Sequence, residues 1–183
     1  MPIGQSPGGG GGSGGGAYTL LSTNTLSVDG VFDITGISQS YNDLYMILIV
    51  RATRPAATAE FLQCRLNNDA TASAYDGAFV DNAVAGTSLN ATSGRISGAI
   101  PAASSAAGFF ATCEISLPGY TSTLWNKAVY ALNSCPSVSG TTLVTETAAM
   151  VWKNTAAVNR VGFFGGNTAN LLTGSVLRVY GRL

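Results

Sequence analysis

Leu44-Tyr45-Met46-Ile47-Leu48-Ile49-Val50 is an unbroken apolar run in a chain where apolar residues are otherwise scattered. It has the length of a β-strand and falls far short of the roughly 18 residues that a membrane-spanning helix needs. Isoleucine, valine and tyrosine suit a pleated strand. A continuous run rather than an alternating one predicts a central strand buried on both faces.

The flanking sequence reads the same way. Phe61 to Leu66 alternates, with Leu62, Cys64 and Leu66 inward and Gln63 and Arg65 outward. Asn67-Asn68-Asp69 ends it. Phe109 to Leu117 alternates again, with Ala111, Cys113, Ile115 and Leu117 on one face and Glu114 on the other, and Pro118-Gly119 turns the chain. Tyr18 to Val28, Val31 to Thr35 after an Asp29-Gly30 turn, Lys127 to Leu132, Leu143 to Lys153, Val158 to Phe164 and Ser175 to Tyr180 are further strand candidates. Residues 67–108 are rich in Ala, Ser, Gly, Thr and Asn. They predict long loops or weak edge strands, with short candidates only at Gly77 to Val80 and Arg95 to Ile100. No window carries a capped apolar stripe of helical period. The expectation is an all-β antiparallel β-sandwich, jelly-roll-like, over residues 17–183.

Residues 1–16 form a separate Gly-rich leader, in which Gly8, Gly9, Gly10, Gly11, Gly12, Gly14, Gly15 and Gly16 are interrupted only by Ser13. The tract contains a formal G-x-G-x-x-G, as any glycine run does. No strand precedes it and no helix follows, so it does not predict a dinucleotide loop. These glycines are candidate assembly residues, an anchor threading into a larger particle.

Composition narrows the function. Charged residues make up 10% of the 183, against roughly 25% in an ordinary globular domain. Net charge is zero and mean hydropathy is +0.27. Such a surface resists association poorly, which predicts a homo-oligomer or a larger assembly. The nine Lys and Arg are scattered, so no nucleic-acid partner is expected. The N-terminus has neither the basic nor the apolar part of a secretory signal, and no membrane insertion is expected.

No histidine is present, which removes Ser–His and Cys–His nucleophile pairs and histidine-bearing metal sites. Cys64, Cys113 and Cys135 lack CxxC spacing; Cys64 and Cys113 read as small core residues, and Cys135, before Pro136, as the end of a strand. Asp29, Asp43 and Asp69 sit at predicted turns. Asn67-Asn68-Asp69 with Asp76 and Asp81 offers oxygen ligands, but without EF-hand spacing. We expect no enzyme activity, no catalytic residues, no cofactor and no metal. Tyr41, Tyr75, Tyr120, Trp125 and Trp152 are the aromatics that could stack on a glycan. Tyr120 and Trp125, in Tyr120-Thr121-Ser122-Thr123-Leu124-Trp125-Asn126, are the candidate ligand or partner contacts.

Read in order, several segments resemble one family of small virion structural proteins of tailed bacteriophages. They are Tyr18-Thr19-Leu20-Leu21-Ser22 after the Gly-rich leader, and Ile34-Thr35-Gly36-Ile37-Ser38-Gln39-Ser40-Tyr41-Asn42-Asp43-Leu44 leading into the apolar run and Arg51. Next come Leu66-Asn67-Asn68-Asp69, then Ile115-Ser116-Leu117-Pro118-Gly119-Tyr120-Thr121-Ser122 with Lys127. The last are Trp152-Lys153-Asn154-Thr155-Ala156-Ala157-Val158-Asn159-Arg160-Val161 and Ser175 to Gly181. The loops around 80–108 and 135–147 depart from the pattern. The resemblance implies a β-sandwich without an enzymatic role, located in the virion and made in the host cytoplasm. It implies a fibre, minor tail or head-surface component. The first reading is a fibre or fibre-like appendage held by its leader, forming a homotrimer with other virion proteins nearby and presenting loops to a host surface glycan or protein. The alternatives are a capsid decoration protein and, third, a carbohydrate-binding module.

Overall fold

The computed structural model of the chain describes residues 17–53, 59–81, 84–136, 143–166 and 169–183. The leader expected to anchor the protein, Gly8 to Gly16 included, lies outside the described residues. The described residues are all-β: two antiparallel sheets packed face to face as a sandwich.

The strands are β1 (Thr19–Thr25), β2 (Phe32–Thr35), β3 (Asp43–Val50), β4 (Ala59–Leu66), β5 (Tyr75–Asp81) and β6 (Val84–Ala91). They continue with β7 (Gly94–Pro101), β8 (Ala111–Leu117), β9 (Lys127–Pro136), β10 (Leu143–Trp152), β11 (Arg160–Gly165) and β12 (Val176–Arg182). An eight-stranded sheet runs β1-β12-β3-β8-β9-β10-β5-β6, and a four-stranded sheet runs β2-β11-β4-β7. The chain switches sheets at each step from β1 to β4. It returns through β7, β8, β11 and β12 so that early strands pair with late ones. The hairpins β5–β6 and β9–β10 extend the larger sheet beyond this frame.

Period-two alternation builds the core. Leu44, Met46, Leu48 and Val50 of β3 point inward, as do Cys113, Ile115 and Leu117 of β8, and Leu62, Cys64 and Leu66 of β4. All three cysteines are free and buried. Burial pushes the Cys64 and Cys113 thiols far up and that of Cys135 to about 11, so they pack as small apolar groups.

Three expectations need correction. Residues 67–108 hold three full strands rather than long loops: β5 and β7 contain the two short candidates, and β6 and β7 are edge strands, as the alternative reading had it. Backbone pairing to β10 and β4 supplies the order that their small side chains do not advertise. Asp29-Gly30 does turn the chain, but at a bend that carries it from one sheet to the other and not in a hairpin, because β1 and β2 belong to different sheets. Gly30 instead exchanges backbone hydrogen bonds with Leu171, and Asp29 Oδ1 accepts from the Thr173 N–H at 2.8 Å. Finally, β3 is buried on one face only. Tyr45, Ile47 and Ile49 point away from the four-stranded sheet and are half-buried.

Candidate assembly face

The strand register sets the outward side chains of the eight-stranded sheet in rows. One row reads Leu20, Tyr180, Tyr45, Ser116, Tyr130, Ala149, Ala78 and Thr87, one residue per strand from β1 to β6. The next reads Thr23, Arg178, Ile47, Glu114, Leu132, Thr147, Val80 and Ala85. A third holds Thr25, Val176, Ile49, Thr112, Ser134 and Thr145. Across these rows the charges are Arg178 and Glu114. A solvated sheet face ordinarily alternates polar residues with the core positions. Here Tyr130 and Leu132 stand 53% and 56% exposed on adjacent rows of one strand.

The face is not flat. A shallow hollow of about 330 Å³ lies among Ala78, Leu89, Tyr130, Ala149 and Val151. Another of about 370 Å³ lies between Tyr45, Glu114, Tyr130 and Leu132. Small residues beside large ones produce both.

Toward β1 the tyrosines cluster. The Tyr45 ring lies 5.1 Å from that of Tyr18 and 6.1 Å from that of Tyr180, within the range of favourable tilted ring pairs. Tyr45 Oη donates to Glu114 Oε2 at 2.7 Å. Partial burial, then the Glu114 carboxylate, pushes the Tyr45 hydroxyl up to about 12, so it remains a donor. At the strand end Arg182 pairs with Asp43 at 2.5 Å. Burial raises the Asp43 carboxyl, but the Gly119 N–H and Arg182 outweigh it and the net shift is downward.

The two aromatics singled out from the sequence part company. Trp125 is 54% exposed at one end of the sandwich, its ring lying over Gly119, whose φ of +58° excludes most other residues. Tyr120 is 0% exposed, and its hydroxyl donates to the Ser38 carbonyl while its own carbonyl accepts from the Val158 N–H. The Tyr120 side chain ties loops together inside the protein, so only Trp125 of the two reaches the surface. Lys127, fully buried, donates from Nζ to the carbonyls of Trp125 and Thr155, both at 3.0 Å, and pins this end. Desolvation lowers its ammonium pKa.

In the Asn67-Asn68-Asp69 turn, Asn67 and Asp69 spend their side-chain oxygens internally. Asn67 and Asn68 adopt left-handed backbone at φ 51° and 54°, which asparagine tolerates. Asn67 Oδ1 accepts from the Asn159 and Arg160 N–H groups. Asp69 accepts from the Thr71 N–H and from Trp152 Nε1 at 2.7 Å. Among the described residues no group of acidic or cysteine side chains is arranged to hold a metal ion, and no helix is long and apolar enough to cross a membrane.

Sequence reasoning missed Arg51 and Glu146 as internal organisers. The Arg51 guanidinium donates to the carbonyls of Ala103, Ser105 and Ala106 and so shapes the β7–β8 loop. Glu146, buried between the sheets, accepts from Ser97 Oγ at 3.1 Å and from the Gly98 N–H. Its position two residues before Ala148 and four before Met150, both inward, was the available signal.

Comparison with known proteins returns no match: no family model, no curated protein and no solved structure is similar to this chain. The molecule is described by its own geometry, a β-sandwich with a large, sparsely charged outer sheet face.

Proposed function

We propose that this chain is a non-enzymatic structural subunit of a tailed-phage virion, a fibre-like appendage that self-associates and presents loops at its ends to the host surface. The observation that carries the assembly part is the outer face of the eight-stranded sheet, where Tyr130 and Leu132 stand exposed beside the half-buried Tyr45, Ile47 and Tyr180. A subunit that worked alone would expose such a patch at a cost in solubility. The nested pairing of early with late strands supports a jelly-roll reading of the eight-stranded frame, an architecture found in viral capsid and lectin domains. Fold alone does not assign a role. The virion assignment rests on the ordered segments that resemble the phage family. The loop end carrying Trp125 and Leu124 is the candidate host-facing surface.

Electron microscopy of particles labelled with an antibody against the full chain tests this reading. Label at a tail or vertex projection is the expected result. Label spread over the capsid lattice would replace the appendage by a decoration role. Particles without the chain would remove the virion assignment altogether.

A further inference from the structure

We infer that a second copy of this chain covers the outer face, packing sheet against sheet about a two-fold axis that runs along β3. The inference does not depend on the virion assignment, because it concerns the isolated protein.

Charge placement selects the axis. Arg178 on β12 and Glu114 on β8 flank Ile47 on β3 in a single row. Arg178 makes no ion pair among the described residues, and Glu114 holds only the Tyr45 hydroxyl. A two-fold along β3 exchanges left and right on the face. It sets each Arg178 opposite Glu114 of the other copy, twice, with Ile47 on Ile47 between them. An axis across the strands along this row instead sets Arg178 on Arg178 and Glu114 on Glu114, two like-charge contacts that specific interfaces avoid. An axis along β9, central to the face as a whole, leaves Arg178 opposite Ala85 and Glu114 opposite Thr147. Both charges would then be desolvated without partners.

Size agrees with charge. In the tyrosine row the same axis sets Tyr180 against Ser116, a large side chain on a small one, and Leu20 against Tyr130. Tyr45 meets its counterpart on the axis, with its hydroxyl held by Glu114. Asp43, also on the axis at the end of β3, is already neutralised by Arg182 within its own copy. The covered strands are β1, β12, β3, β8 and β9. That footprint is roughly 24 Å across and roughly 20 Å along the strands, at the low end for a specific interface. The pair is therefore a reversible dimer rather than an inseparable one, and a two-fold group in place of the homotrimer expected from the sequence.

Sedimentation velocity on the full chain across a concentration series tests the inference. The unmodified protein is expected to convert from monomer to dimer as concentration rises. Arg178→Glu and Glu114→Arg are each expected to weaken dimerisation at least tenfold, while circular dichroism stays unchanged. The double variant Arg178→Glu/Glu114→Arg restores the opposed charges and is expected to recover most of the affinity. A monomer at every concentration, a trimer, or a dimer in which the double variant is no better than either single one would overturn the pairing. None of these results bears on where the chain sits in a particle.

Discussion

Glu146 and Asn133 face each other directly across β10 and β9, and each buries a side-chain oxygen that no donor reaches among the described residues. Glu146 Oε2 is served by Ser97 and Gly98, and Asn133 Nδ2 donates to the Ile96 carbonyl at 2.7 Å. The leftover pair is Glu146 Oε1 and Asn133 Oδ1, two acceptors in the interior.

Desolvation raises the Glu146 pKa above its ordinary value. The folded state therefore holds a proton that the unfolded state releases. This contribution to stability is fully present below the unfolded pKa near 4.5 and is lost as pH rises through the raised folded value. Glu146→Gln places a donor beside Asn133 and removes the buried charge. It is expected to stabilise the protein by about 1–2 kcal/mol at neutral pH, with the advantage gone by about pH 4. Thermal melts of both proteins at the two pH values check this. A less stable Gln variant at neutral pH would show that the carboxylate is needed as an anion.

Asp69 behaves oppositely. Hydrogen bonds from Thr71, then Trp152, lower its pKa, so its contribution is present above the unfolded value and lost as pH falls through the lowered one. Asp69→Ala leaves the buried Trp152 N–H without its acceptor and should cost about 1–3 kcal/mol. Asp69→Asn should cost less, because it keeps an acceptor. Denaturant titration of both variants decides, and equal losses would mean that the Trp152 bond contributes nothing.

Gly94 leaves room for Met150. A Cβ at residue 94 would lie 1.7 Å from the Met150 sulfur, inside a closed core. Gly94→Ala should therefore destabilise by about 1–3 kcal/mol. If the clash is the cause, Met150→Ala should cost clearly less in the Gly94→Ala background than alone. Additive losses in the double-mutant cycle would place the fault in the β7 backbone instead.

Lys127 is the pin of the Trp125 end. Lys127→Met removes the ammonium that bridges the Trp125 and Thr155 carbonyls while keeping the length of the side chain. We expect a loss of about 1–3 kcal/mol and lower fluorescence anisotropy from Trp125, measured in a Trp152→Phe background. Unchanged anisotropy would mean that packing over Gly119 holds the indole without help.

Much of the fold was legible because alternation is a direct record of one buried face. Phe61 to Leu66 and Phe109 to Leu117 each gave the correct inward residues. The strands β5 and β7 were legible only as short pieces and β6 not at all, since Ala, Gly, Ser and Thr fit strand and loop alike. Their order comes from partners distant in sequence. The apolar run Leu44 to Val50 was legible as a strand but not as one buried on a single face. Local sequence does not say whether the second face meets another layer of the same chain. For the same reason Tyr120 read as a surface aromatic. The group that captures its hydroxyl, Ser38, lies 82 residues earlier.

The pairing of β1 with β12 joins Thr19 to Gly181, so β1 waits for a strand made far later in the chain. Until β12 has been made, β1 has no neighbour and β3 lacks one of its two. Such long-range closure slows folding. A chain stopped at residue 174 is expected to stay unfolded by circular dichroism, and a folded one would refute this order of events. Arg178 and Tyr180 lie on that same β12. A prematurely terminated product would therefore lack both the closing strand and part of the docking surface. Proofreading of translation would be built into assembly, with defective copies excluded before they reach a partner.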